Sequence, residues 1–299
     1  MARRLLMALL AAAALAAALH LADVGALVKR VGEVSAPAVL LAVALHAMIV
    51  VALGLRWRLL LRAQGCAVTP AGAVRLTFGS TAMNLVLPGA VGGDVGRVLM
   101  ARGAGVGART GVAAALADRA VGLVALVLVV IAGGLLLAQP PWPLLLAGVL
   151  VLLGAVGAWP LLGRMEGNAG RVGRLATALR RVGRDPARLL PAFGLSLACH
   201  LAAAAIAAVL AVGLGIGLSG MEALMLFPAV LLAAMIPVGF GGWGVRELAA
   251  IPLLAPAGVT PEGAVALALL FGLTQLAAAS MGALASLAGP PLALATVEA

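Results

Sequence analysis

Two stretches of this chain set the same residue types at the same spacing, NLVLPGAVGGDVGR from Asn84 to Arg97 and MIPVGFGGWGVRE from Met235 to Glu247. In each, a glycine pair begins four residues after a proline and an arginine stands nine residues after it. Pro88, Gly92, Gly93 and Arg97 thus align with Pro237, Gly241, Gly242 and Arg246 at an offset of 149. Proline and paired glycines interrupt a helix. A helix that starts just after such a break points its unbonded N–H groups forward, and an arginine one turn in adds a permanent cation. That combination suits a phosphate. Arg97, Arg246, Gly92, Gly93, Gly241 and Gly242 are therefore the candidate substrate-binding residues, the glycines allowing close approach.

Other charges near these motifs form a candidate supporting network. Asp94 reads as the N-cap of the helix that carries Arg97. Asp118 and Arg119 fall inside an apolar run, where an unpaired charge costs about 2.5–3.5 kcal/mol. Neighbours in sequence do not face each other on a helix. Asp118 is thus expected to meet Arg97 or Arg246, and Arg119 to meet Asp94 or Glu247. The network either supports a bound anion or clamps the fold. His46 and His200 stand alone in apolar runs, as packing groups or as proton carriers. Gly133, Gly134, Gly213 and Gly215 read as packing glycines. Cys66 and Cys199 are too far apart in sequence to support a disulfide framework or a metal knuckle. The sequence contains no GxSxG, HExxH or P-loop, and its one lysine is Lys29. No catalytic residue, metal or cofactor is expected, and the chain does not read as an enzyme.

The elements that must position these residues belong to a membrane protein. Of the 299 residues 64% are hydrophobic and 10% charged, and the mean hydropathy is +1.20, which leaves too little polar surface for a water-soluble globule. A spanning helix needs roughly 20 apolar residues, and six windows qualify: Leu5 to Leu21, Pro37 to Leu55, Gly111 to Leu137, Leu144 to Leu162, Leu190 to Leu210 and Gly263 to Leu287. Two further apolar stretches, Ala71 to Leu87 and Met221 to Val238, end at the proline-glycine clusters and read as re-entrant. The fold class expected is an all-α polytopic membrane protein with about six transmembrane helices and two re-entrant segments.

A formal charge of +10 invites a nucleic-acid reading, but the arginines sit between apolar spans. They collect in alternate connections, at Arg3 and Arg4, at Arg56, Arg58 and Arg62, and between Arg164 and Arg188. Asp23 to Ser35, Ala138 to Pro143 and Val212 to Gly220 hold few or none. The positive-inside rule then puts both termini on the cytoplasmic face. If Ala71 to Leu87 turns back, Arg97, Arg102 and Arg109 stay inside as well. The second half starts from the outside, so residues 1–149 and 150–299 are expected to be inverted repeats whose broken tips meet at mid-membrane. Gly163 to Arg188 reads as a basic loop, amphipathic in places. The start of the chain imitates a secretory signal with a small-residue site at Ala16 to Ala18, but losing it would leave the repeats unequal, so a retained first span is expected.

The run VLPGAVGGDVGRVLMAR, the Asp118–Arg119 pair opening a long apolar span and the late PVGFGGWGVRE resemble the lysylphosphatidylglycerol synthase transmembrane-region family, also called flippase-like domain proteins. The likeness covers nearly the whole chain. It implies translocation of aminoacylated phosphatidylglycerol across a bacterial-type inner membrane, with relatives in glycolipid or hopanoid pathways, while the glycine–arginine motifs themselves point to an anionic lipid, a phospholipid or a polyprenyl or glycolipid carrier. The resembling stretch corresponds to the membrane part without the soluble aminoacyltransferase domain, so synthase activity is not expected to transfer. The alternative is a non-transporting partner of a lipid or glycan synthase or glycosyltransferase, or an embedded enzyme of such a pathway. Membrane lipids are the expected partners, and nucleic acid is not.

Overall fold

The computed structural model describes residues 2–86, 92–136, 142–166, 168, 170–236 and 241–287. Among them the regular elements are helical. Helices α1 (Ala2–Leu21), α2 (Val24–Gly32), α3 (Ala36–Arg62), α4 (Pro70–Val86), α5 (Gly92–Gly103) and α6 (Ala108–Leu135) fill the first half. Helices α7 (Trp142–Met165), α8 (Arg171–Gly183), α9 (Pro186–Gly213), α10 (Gly220–Ala234), α11 (Val245–Leu254) and α12 (Pro261–Leu287) fill the second. The order of long and short helices is the same in both.

Helices α3, α6, α7, α9 and α12 are each long and apolar enough to cross a bilayer. The first expected span differs: Leu9–Leu21 and Val24–Gly32 form a pair bent by 94°. The bend has a local cause, because Asp23 adopts an extended backbone and its carboxylate accepts the Ala26 N–H, starting a new helix. The second span also differs. Its apolar window ends at Leu55, yet α3 continues to Arg62 and buries Arg56 and Trp57. The stretch expected to be a basic loop contains α8, whose Ala176 and Val182 are buried while Val172 is exposed.

Helices α3 and α9 form the central pair. The Ser35 N–H bonds the Gly213 carbonyl at 3.0 Å near one end, and Arg56 reaches Ser196 at 2.9 Å further along. Position falls along α9 as it rises along α3, so the two run antiparallel. The backbones come close because Gly213 faces Ala38, where an added Cβ would sit 2.6 Å from the alanine methyl. Gly133 likewise lets α6 press on the Met225 backbone of α10. Gly215 does different work: its φ of +64° turns the chain after α9, and a methyl added there would meet nothing within 4 Å.

Both stretches expected to be re-entrant are helices followed by a break and a shorter helix packed alongside. In the first, Asn84 meets Gly93, Ser80 meets Arg97 and Gly79 faces Met100, so α5 runs back along α4. In the second, Gly242 packs on Ala234. At about 1.5 Å per residue, the 17 residues of α4 and 15 of α10 fall short of the roughly 30 Å of a bilayer core. Pro88 and Pro237 lie outside the described residues, as does most of the Ala138 to Pro143 connection. Across the halves α6 packs on α10 and α12 on α4, while α8 packs on α6 and α2 on α12.

Candidate functional site

The first hairpin owes its tightness to small and polar residues. Thr77, Ser80 and Asn84 recur on α4 at helical spacing, and the first two hydroxyls return to the backbone of their own helix at 2.8 and 3.0 Å. That leaves the Ser80 oxygen to accept from Arg97 Nε at 3.1 Å. Gly93 fits only as glycine, since a Cβ would stand 2.5 Å from the Ser80 carbonyl. Asn84 Oδ1 accepts the Gly93 N–H at 3.3 Å. Asparagine from the preceding helix thus does the capping expected of Asp94, which lies in the first turn of α5 instead.

The buried centre of the site is Asp118 on α6. Arg56 reaches it with two parallel bonds, Nε to Oδ1 at 2.7 Å and Nη2 to Oδ2 at 2.8 Å, the fork geometry that guanidinium and carboxylate share. Its remaining nitrogen Nη1 donates to Ser196 of α9 at 2.9 Å. Arg97 adds a longer bond, Nη1 to Oδ2 at 3.3 Å, and its guanidinium lies 5.4 Å from the Trp57 ring centre. Five helices, α3, α4, α5, α6 and α9, are tied to one carboxylate. Arg119, next in sequence, points elsewhere and pairs with Asp94 nearer the surface.

The second motif is built differently although its letters match. Gly241, Gly242 and Gly244 have φ of +52°, +85° and +81° on either side of Trp243, positive values that a side chain would strain. Gly92 and Gly93, by contrast, are helical. Glu247, fully buried, accepts the Gly244 N–H at 2.5 Å and closes the start of α11. Its other oxygen takes Arg246 Nη2 at 2.8 Å and Nε at 3.2 Å. Arg246 is further held 4.8 Å from the Trp243 ring and 6.0 Å from that of Phe271. It fits over α12 because Gly272 leaves room for its guanidinium. These neighbours in sequence do pair, against the expectation for a regular helix, because they sit where the helix begins and Glu247 has folded back on it.

Between the two motifs lies a cavity of about 350 Å³. Its charged lining comprises Arg56, Asp94, Asp118, Arg119 and Arg246; Gly241 and Gly242 form another part of the wall. Asn84, Gln275, His46 and His200 complete the polar lining, with Leu53, Leu123 and Leu231 among the apolar residues. Among the described residues Arg97, Gly93 and Glu247 are not in the lining: Arg97 stands behind Asp118, and Glu247 behind Arg246. His46 Nδ1 lies 3.1 Å from the Ala42 carbonyl, which makes it the donor in the neutral ring, and Nε2 is buried with no partner. His200 Nε2 lies 3.0 Å from the Gly122 carbonyl.

Arg56 is the principal residue that the sequence motifs do not mark, since it groups with Arg58 and Arg62 as a loop cation. The signal is its register: His46, Ile49, Leu53, Arg56 and Leu60 recur every three or four residues and share one face of α3.

Comparison with curated proteins finds no match to the chain. The family model for the lysylphosphatidylglycerol synthase TM region, however, matches residues 4–282, which takes in both broken hairpins, the central pair and every charged residue of the cavity. The chain therefore belongs to the lysylphosphatidylglycerol synthase TM-region family.

Proposed function

We propose that the protein binds an anionic lipid in this cavity and carries its head group across the membrane, as a flippase-like carrier and not as an enzyme. The observation that carries the reading is convergence. Asn84 and Asp94 from the first broken hairpin face the same 350 Å³ space as Gly241, Gly242 and Arg246 from the second. Arg246 is the leading phosphate contact, with Arg119 second and Arg97 acting from behind Asp118. Left-handed Gly241 and Gly242 leave their backbone open to a head group.

Translocation needs a site that opens to each face in turn, and inverted repeats supply two related gates. An inverted duplication of residues 1–149 as 150–299 is supported by the repeated helix order, by the antiparallel course of α3 and α9, and by packing that recurs with roles exchanged between the halves. Arginine distribution supports placing both termini on the cytoplasmic side of a bacterial-type inner membrane.

The test is lipid scrambling in proteoliposomes. Purified protein should accelerate the loss of inner-leaflet shielding of a fluorescent anionic phospholipid, and Arg246→Lys, which keeps a cation beside buried Glu247 but loses the guanidinium fork, should slow it severalfold while melting falls less than in Arg246→Gln. Rates equal to those of empty vesicles would refute transport. A second reading, a non-transporting partner of a lipid or glycan synthase, is favoured by one fact: each cavity carboxylate already holds an arginine, as in a structural clamp. Under that reading the wild-type protein scrambles no faster than empty vesicles, and Arg246→Lys changes stability alone.

A further inference from the structure

A second cavity, of about 600 Å³, lies apart from the one between the two motifs and shares none of its lining residues. It stands where long apolar helices end. Ala63 directly follows α3, Glu166 directly follows α7 and Pro186 opens α9, and all three line it. Three spanning helices that terminate at one cavity put it at the level of the lipid head groups, on the face where the arginines collect.

The wall of this cavity is fixed by packing. Trp159 of α7 sits on Gly183 of α8, where an added Cβ would run into the ring. Arg180 stacks on the same ring at 4.4 Å, donates to the Trp159 carbonyl at 2.9 Å and passes Gly163, which has no side chain to obstruct it. Two glycines thus let α8 lock onto the end of α7. Glu166 takes Arg184 by two bonds, at 2.7 and 3.0 Å, and Arg180 by a third at 3.3 Å. Asp185 holds Arg188 and caps α9. Both carboxylates of the lining are therefore occupied, while Arg181, exposed in the same lining, has no hydrogen bond or ion pair among the described residues. The positive-inside rule asks only for cations near the membrane. It does not ask that Arg181, Arg184 and Arg188 surround one hollow.

We infer that this cavity binds the phosphate of an anionic phospholipid of the adjacent leaflet, as a resident lipid separate from any ligand of the cavity between the motifs. Arginine forks match phosphate oxygens, and basic pockets at the ends of spanning helices take phospholipid head groups. Apart from Ala63 and Pro186 the lining is polar, so it accepts a head group and not an acyl chain. The chains have a place beside it, because the last turns of α7 leave Leu161 and Met165 exposed. The inference goes beyond the proposed carrier activity and does not depend on it.

Native mass spectrometry of the full chain, delipidated in detergent and titrated with dioleoylphosphatidylglycerol or dioleoylphosphatidylcholine, tests the inference. Wild type should bind the anionic lipid in preference to the zwitterionic one. Arg181→Glu should weaken the binding of one phosphatidylglycerol about tenfold, since repulsion replaces a pairing in a partly screened site, and Arg181→Lys should keep most of the wild-type affinity. Arg102→Glu makes the same change of charge at an exposed position outside the cavity and should bind as wild type does. Should Arg181→Glu aggregate, Arg181→Gln takes its place, with a loss of about threefold expected.

Equal weakening by Arg181→Glu and Arg102→Glu would assign the binding to net charge and overturn the inference. So would binding that Arg181→Glu leaves unchanged, or no preference for the anionic lipid. A further arm offers glycerol 3-phosphate and inorganic phosphate without lipid; Arg181-dependent retention of either, where no phosphatidylglycerol depends on Arg181, overturns a lipid as the source. Failure of the carrier reading shows separately, as scrambling at the empty-vesicle rate with the Arg181-dependent lipid still bound.

Discussion

The geometry at Asp118 makes an unequal prediction for the two arginines that share it. Arg56 supplies two short bonds to the carboxylate and one to Ser196, whereas Arg97 supplies a single bond of 3.3 Å and keeps a second contact at Ser80. Removing Arg56 leaves a carboxylate that is 5% exposed with one long bond, the situation in which breaking a buried pair costs about 3–5 kcal/mol. Removing Arg97 leaves the two-bond fork whole, so the loss is about one hydrogen bond to a charged group, roughly 1.5–3 kcal/mol. Arg119→Gln breaks a half-exposed pair and should cost about 1 kcal/mol or less. The expected order of destabilisation is Arg56→Gln first, Arg97→Gln next and Arg119→Gln last, with Asp118→Asn as severe as the first because it strands two cations. Thermal melting of the detergent-solubilised protein, followed by tryptophan fluorescence, reads this order directly. Equal losses for Arg56→Gln and Arg97→Gln would refute the argument that the fork carries the pairing.

Three further outcomes follow from other parts of the molecule. Gly93→Ala should destabilise by at least about 1–3 kcal/mol, the range for overpacking, because its methyl would meet the Ser80 carbonyl at 2.5 Å; Gly103→Ala, with nothing within 4 Å, should be neutral, and similar melting of the two would contradict the hairpin packing. Cysteines placed at Arg62, Arg102 and Arg180 should react only from the cytoplasmic side and one at Ser219 only from outside; external labelling at 102 would contradict a re-entrant first hairpin. Burial raises the Cys66 thiol above its ordinary range, so its thiolate forms later as pH rises, and its maleimide labelling should still be climbing at a pH where an exposed thiol has levelled off; coincident profiles would contradict the burial.

The apolar windows and the two proline-glycine clusters are sufficient to locate the spanning helices and the broken hairpins, because hydrophobic length and helix-breaking residues act locally. Two ion pairs are legible only as alternatives: the cost of unpaired charge in an apolar run offers Asp118 either Arg97 or Arg246 and Arg119 either Asp94 or Glu247, and the structure takes the first of each. Arg56 is not legible by that logic, since a cation near a helix end satisfies the positive-inside pattern whether it faces water or the core, and only the register of His46, Leu53 and Leu60 marks its face. The two glycine pairs look alike as letters yet serve packing in one case and chain reversal in the other. That difference lies in φ, which side-chain identity does not encode when the residue is glycine.

Every ion pair of the site closes within one half of the chain: Arg56 and Arg97 on Asp118, Arg119 on Asp94, and Arg246 on Glu247. This bears on biogenesis. A nascent chain delivers its charges to the bilayer in order, each at about 2.5–3.5 kcal/mol while unpaired. Arg56 and Arg97 wait only until Asp118 emerges, and Arg246 has its partner one residue later. The first half can therefore settle in the membrane with every carboxylate of the site answered before α9 or α10 exists. A released chain truncated after Leu136 should already resist alkaline extraction, and Asp118→Asn should weaken that resistance.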